Sequence, residues 1–118
     1  MKQNYQELPD KDLEFLAVAE VDEVGNGEKI FLEIDDFQII LFNIAGKHFA
    51  IGNLCSHDGE DLGEGDVEEH QVICPRHGAR FDVSNGEAVA LPAVENIPAY
   101  PVRIEGQEIL IGIPLAKN

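Results

Sequence analysis

Two short segments, Cys55-Ser56-His57 and Cys74-Pro75-Arg76-His77, constrain this chain more than any other feature. They contain its only two cysteines, and each cysteine is followed within three residues by a histidine. Thiolate and imidazole together form a transition-metal ligand set, because sulfur suits soft or borderline ions and neutral imidazole binds Fe, Zn or Cu. A fold that uses both pairs must bring two loops face to face across a spacer of sixteen residues, Asp58 to Ile73. Gly59, Pro75 and Gly78 beside the pairs let the backbone turn tightly around a bound group and point N–H donors inward. A disulfide closing so short a loop would add about 3 kcal/mol, which a domain of this size does not need. The two cysteines therefore read as working thiolates in a reducing compartment.

The rest of the chain reads as strand and turn. Residues 1–14 are polar and unpatterned and are expected to form a loose terminus leading into a strand near Phe15–Ala19. Gly25-Asn26-Gly27 is a turn signal before Lys29–Ile34, and Asp35-Asp36 reverses the chain into Phe37–Ile44. Ala45-Gly46-Lys47 then turns it into His48–Ile51, which predicts a three-stranded meander. Val67, Gln71–Ile73, Ala79–Val83, Pro101–Glu105 and Gln107–Ile113 are further strand segments, with turns at Asn85-Gly86 and Glu105-Gly106-Gln107. No stretch of helical period is present, and strands recur every 8–12 residues or so, as in antiparallel sandwiches and small barrels. The expected class is all-β, in one domain spanning residues 1–118.

Charge excludes some partners. Eight Lys and Arg against 23 Asp and Glu give a net charge of -15, which repels phosphate backbones and anionic lipid surfaces. No nucleic-acid or membrane binding is expected. No run approaches the roughly 18 apolar residues of a membrane span, and Met1-Lys2-Gln3-Asn4 lacks the apolar core of a signal peptide. A cytoplasmic monomer is the expectation.

A mononuclear zinc site with two Cys and two His is one metal reading, but zinc knuckles usually take both cysteines from one element and both histidines from another. Here each loop mixes the types. Loops approaching from opposite sides could place both thiolates on one iron and both imidazoles on a second, the Rieske form of a 2Fe-2S centre. The residues around the pairs resemble the Rieske iron-sulfur proteins, with Cys-x-His, a spacer of this length and Cys-x2-His. The resemblance includes Leu62-Gly63-Glu64-Gly65, Cys74 through Asp82, Asn85-Gly86-Glu87, Pro92-Ala93, Tyr100-Pro101-Val102-Arg103 and Gln107-Glu108-Ile109, and covers about residues 16–114.

That resemblance implies a Rieske fold with a cluster-binding subdomain of two loops within residues 53–83, and one 2Fe-2S cluster as cofactor. It implies that Cys55 and Cys74 bind the inner iron and His57 and His77 the outer iron, with electrons passing through the histidine edge. The Rieske subunits of respiratory and photosynthetic cytochrome complexes carry two further cysteines, which form a disulfide; the matching positions here are Glu60 and Arg76. Those proteins also direct Ser and Tyr hydroxyls at the cluster where this chain has Ala79 and Phe81. Loss of those donors places the potential toward the bottom of the roughly -150 to +300 mV Rieske range.

The other candidate groups read as ordinary surface. His48 and His70 have no cysteine nearby and are expected to be exposed, and Ser56 next to His57 lacks the third group that a nucleophile would need. Asp58, Glu60, Asp61, Glu64, Asp66, Glu68 and Glu69 fill the spacer as a solvated face that could also serve docking. Apolar residues at the histidine edge, Leu62 or Pro92, are the alternative docking contacts. The acids do not alternate as an EF-hand requires, and Gly63 and Gly65 do not open a dinucleotide motif.

By resemblance, then, the chain is a soluble electron carrier, itself no enzyme, passing single electrons from a flavin-dependent reductase to a terminal oxygenase in a bacterial ring-hydroxylating system. The alternative is a small subunit or regulatory module of a larger oxidoreductase such as a nitrite-reductase-like complex. A zinc-stabilised binding module is a third reading.

Overall fold

The fold is taken from a computed structural model that describes residues 4–53, 62, 65–75, 78–91 and 95–115. It is all-β, with three single-turn 3-10 segments (Tyr5–Glu7, Asp10–Asp12 and Val21–Glu23) and no α-helix among the described residues. Eleven strands follow in chain order: β1 Leu13–Glu20, β2 Lys29–Ile34, β3 Phe37–Ile44, β4 Lys47–Gly52, β5 Val67–Glu68 and β6 Gln71–Ile73. The remainder are β7 Arg80–Asp82, β8 Ala88–Ala90, β9 Ala99–Tyr100, β10 Val102–Glu105 and β11 Glu108–Pro114. They make three sheets, ordered β1-β11-β10, β2-β3-β4-β9 and β5-β6-β7-β8, with every pairing between these strands antiparallel.

The meander expected from the sequence is the middle sheet. Ile34 pairs with Phe37 and Ile44 with Lys47, so each connection is a two-residue loop. Asp35 and Asp36 (φ 48° and 73°) and Ala45 and Gly46 (φ 55° and 86°) all take left-handed backbone. That is the turn geometry whose twist matches the flanking strands.

β3 explains the layering. Its run Phe37-Gln38-Ile39-Ile40-Leu41-Phe42-Asn43-Ile44 is apolar on both faces, and both faces are covered. Ile39 and Leu41 pack with Val24, Ala50, Tyr100, Ile109, Ile111 and Ile113, which join the middle sheet to the β1-β11-β10 sheet. Ile40 and Phe42 pack with Ile51, Leu62, Val72, Cys74, Phe81 and Ile97, which join it to the β5–β8 sheet. The expected all-β antiparallel architecture is thus layered, with cores on both sides of the middle sheet.

Three differences from the sequence reading come from pairing with other parts of the chain. The segment from residue 4 is docked rather than loose. Asn4 bridges Ala99, the Tyr5 ring packs 5.2 Å from Tyr100 and 6.3 Å from Phe37, and Arg103 grips both carboxylate oxygens of Asp10 (2.7 and 2.6 Å). Residues 13–14 already belong to β1. Strands β8 and β9 were not expected, being respectively alanine-rich and two residues long; they exist by pairing with β7 and β4.

Candidate metal centre

The second cysteine sits where strand geometry fixes it. β6 and β7 pair Val72 with Phe81 and Ile73 with Arg80, so Cys74 is the first residue beyond the ladder. Its N–H donates to the Ala79 carbonyl (2.7 Å) and its carbonyl accepts from the Gly78 N–H (3.0 Å). Gly78 closes the turn at φ 76°, a conformation that any side chain would strain. Cys74 is a free thiol, only 1% exposed, in the core cluster with Leu62, Val72, Ala79, Phe81, Val83 and Ile97. Pro75 and Gly78, on either side of the loop, are exposed. The thiol therefore lies in a dry core at a turn whose described ends, Pro75 and Gly78, meet solvent.

The segment that precedes this hairpin is pinned beside it. The Asn53 N–H donates to the Gln38 carbonyl (2.8 Å), and the Asn53 side-chain oxygen accepts from the Leu62 N–H (2.9 Å). Leu62 is fully buried. The Gly65 N–H returns to the Leu62 carbonyl (2.8 Å). A Cβ on Gly65 would collide with the Ile73 carbonyl oxygen, so glycine is needed for the backbone to pass the residue before Cys74. Gly86 plays the same part on the other flank: it sits at φ 79°, its would-be Cβ collides with the Ile97 carbonyl, its carbonyl accepts from the Ile97 N–H (2.8 Å) and its N–H donates to the Asp82 carbonyl (2.7 Å).

Of the four expected ligands, Cys74 is described; Cys55, His57 and His77 lie outside the described residues, as do Ser56, Asp58, Gly59, Glu60, Asp61, Gly63, Glu64, Arg76 and Pro92. Ala79 and Phe81 are both fully buried within the cluster of Cys74, where the missing hydroxyls would have to act. His70 is exposed as expected, its ring edge-on to Phe49. Asp66, Glu68 and Glu69 are exposed too, and Glu68 pairs with Arg80 at 3.0 Å.

Two expectations need correction. His48 is not an exposed surface histidine: alternation along β4 puts it on the face of Ala50. Its Nε2 is shielded from solvent without a hydrogen-bond partner among the described residues, and burial lowers its pKa from the usual 6.5. Leu62 cannot be a docking contact, because it fills the core beneath the loop. An exposed leucine stands elsewhere, Leu91 at the end of β8, 78% exposed. Sequence reasoning also passed over Asn53 and Lys29, whose Nζ donates to the Gly65 carbonyl at 2.8 Å; a polar residue flanking a cysteine loop was the available signal for Asn53. In the opposite core, burial and then the neighbouring Tyr5 raise the pKa of the Tyr100 hydroxyl.

The arrangement can be set beside known proteins. The family model of the Rieske [2Fe-2S] domain matches residues 14–101. The chain belongs to this family. A Rieske protein carries one 2Fe-2S cluster, and what is described here fits one: a free, buried sulfur donor, its backbone groups already bonded, at the base of a tight turn. Among curated relatives, the ferredoxin component of the naphthalene 1,2-dioxygenase system of Pseudomonas aeruginosa is 32% identical, over 90% of this chain and 99% of that relative. The 3-phenylpropionate/cinnamic acid dioxygenase ferredoxin subunit of Shigella boydii is 39% identical, over 82% of this chain and 92% of that one. Among solved structures, the ferredoxin of carbazole 1,9a-dioxygenase from Nocardioides aromaticivorans matches with a TM-score of 0.78 and 33% identity, covering 82% of this chain and 95% of that one. No helix among the described residues is long and apolar enough to cross a membrane.

Proposed function

We propose that this Rieske protein is the ferredoxin of a multicomponent dioxygenase system, carrying single electrons from a flavin-dependent reductase to a terminal oxygenase and catalysing no reaction alone. The observation that carries this reading is the extent of the match: the chain spans nearly the full length of ferredoxin components at 32–39% identity. The small subunit of an NADH-dependent nitrite reductase from Mycobacterium tuberculosis shares the fold (TM-score 0.77) at only 22% identity, which makes it the less specific reading.

The cluster would be held by Cys55 and Cys74 on the inner iron and His57 and His77 on the outer one, within residues 53–83 of a single Rieske unit. The burial of Cys74 and the exposure of Pro75 and Gly78 around His77 support that polarity. The cluster would supply a one-electron couple; the core residues around Cys74 would shield the thiolate side, and exchange with partners would run through the histidines. A cytoplasmic location, where the thiols stay reduced, goes with this assignment.

Iron and acid-labile sulfide analysis with EPR of the reduced protein is the test. Two irons, two sulfides and a rhombic signal present only after reduction are expected, whereas one zinc and no sulfide in anaerobic material would overturn the reading. His57→Cys and His77→Cys variants should lower the potential strongly, because thiolate adds negative charge where neutral imidazole stood. An unchanged potential in a cluster-bearing variant would remove that histidine from the ligand set. Reduction by a flavoprotein reductase and onward transfer to an oxygenase, followed by stopped flow, test the carrier role itself.

A further inference from the structure

Lys29 begins β2, on the middle sheet, yet its ammonium reaches across to the Gly65 carbonyl, 2.8 Å away in a partly buried setting. Gly65 belongs to a different layer. It is itself buried, turns back on Leu62 through its N–H, and lies so close to the Ile73 carbonyl that no Cβ would fit. Ile73 is the residue before Cys74, and its N–H is held by the Asp66 carbonyl (2.8 Å). Lys29 therefore secures the chain returning from Cys55 and His57 where it presses against the chain entering Cys74. The contact lines a cleft of about 380 Å³ between Asn26–Lys29, Phe42–Ile44 and Gly65–Val67.

We propose that Lys29 is a positioning residue for the cluster: its charge-assisted hydrogen bond fixes the return of the first ligand loop against the second. This rests on the 2Fe-2S reading above. A hydrogen bond from an ammonium is stronger than a neutral one, and a buried carbonyl stripped of its donor is costly to leave unpaired. Removing the donor loosens the first loop before it unfolds the sheets, since the cores on both faces of β3 do not depend on the ammonium. The positive charge at the same place also favours the more negative, reduced cluster.

The experiment compares cluster-loaded wild type, Lys29→Met, which keeps the stem and loses the donors, and Lys29→Arg, which restores a cationic donor. Three quantities are read: the rate of iron loss to a chelator, the midpoint potential and the thermal unfolding midpoint. Expected for Lys29→Met are iron loss about tenfold faster, a lower potential and a nearly unchanged unfolding midpoint, with Lys29→Arg close to wild type on all three. Equal iron loss and equal potential in wild type and Lys29→Met would overturn the proposal. Equal damage in Lys29→Met and Lys29→Arg would overturn it as well, by showing that only the packing of the lysine stem mattered. If wild type itself bound no 2Fe-2S cluster, the underlying reading would fall and this inference with it. A cluster-bearing wild type with indifferent variants overturns the inference alone.

Discussion

Ala79→Ser and Phe81→Tyr test how the protein sets its potential. Both positions are 0% exposed in the cluster of side chains around Cys74, so a hydroxyl placed there has no water to bond. Leaving it unpartnered would cost about 1–3 kcal/mol of stability. The Ala79 carbonyl is already taken by the Cys74 N–H, which leaves thiolate or cluster sulfur as the natural acceptor. A hydrogen bond to such a charged group is worth about 1.5–3 kcal/mol, but only its excess in the reduced state moves the potential. If a third to a half of it is such excess, the gain is about 0.5–1.5 kcal/mol, or roughly 20–60 mV upward at about 59 mV per tenfold for one electron. Each variant should therefore show a more positive potential by voltammetry, and the double variant a larger rise. Crystal structures with both hydroxyls in place but an unchanged potential would refute the reasoning. So would a stability loss of the unpartnered size with no shift in potential.

Three further outcomes follow from the same structure. Gly78→Ala meets nothing within 4 Å and pays only for its φ of 76°, about 1–2 kcal/mol. Gly65→Ala drives a Cβ into the Ile73 carbonyl and should cost more and speed iron loss, measured by denaturant unfolding and chelator kinetics; equal costs would contradict the close approach. His48, its pKa lowered by burial from 6.5, binds protons more readily unfolded than folded. Its contribution to stability is thus full above about pH 6.5 and declines as pH falls toward the depressed folded value; His48→Phe should flatten that decline in pH-dependent unfolding. Electron transfer with a reductase should slow as salt passes about 0.1 M, where the Debye length is near 10 Å, if the net charge of -15 steers docking. Reversing Asp66, Glu68 and Glu69 to Lys should then slow it too, and stopped-flow rates flat across both changes would leave those acids as a solvated face.

The elements legible in sequence are those whose signals are local. β2 and β3 are runs rich in isoleucine, leucine and phenylalanine, β4 follows them as a shorter apolar stretch, and the breaks at Asp35-Asp36 and Ala45-Gly46 are turns in the observed register. The unbroken apolar run of β3 also carried, unread, the fact that both its faces are covered. Ala88-Val89-Ala90 and Ala99-Tyr100 carry no such signal, because pairing with distant strands makes them strands. The docking of Tyr5 and Asp10 was illegible for the same reason: Asp10 meets Arg103 across 93 residues. At the site, the Cys/His spacing pointed to the family that the Rieske domain match shows, while of the four proposed ligands only Cys74 lies among the described residues, where it is buried. His48 was misjudged for want of one step: counting by two along β4 from buried Ala50 puts it inward. Leu62, a lone leucine among acids, was read as a docking contact when an apolar side chain in a polar loop more often anchors the loop to the core.

The two ligand segments are held by different kinds of bond, and that difference decides which substitutions each tolerates. Among the described residues Cys74 is held through its backbone groups, by Ala79 and Gly78 at the end of the β6–β7 ladder. Side-chain changes around it alter packing or potential but leave the turn in place, while changes of backbone preference, at Gly78 above all, do not. The flanks of the first segment have backbone bonds too, at Asn53 and Gly65, but are also tied by side chains, Asn53 on Leu62 and Lys29 on Gly65. A single polar substitution removes either tie without touching a strand. Opening free energies vary across a protein, and segments secured by few bonds open before the sheets that carry them. Loss of either tie should therefore speed iron loss to a chelator before it lowers the unfolding midpoint.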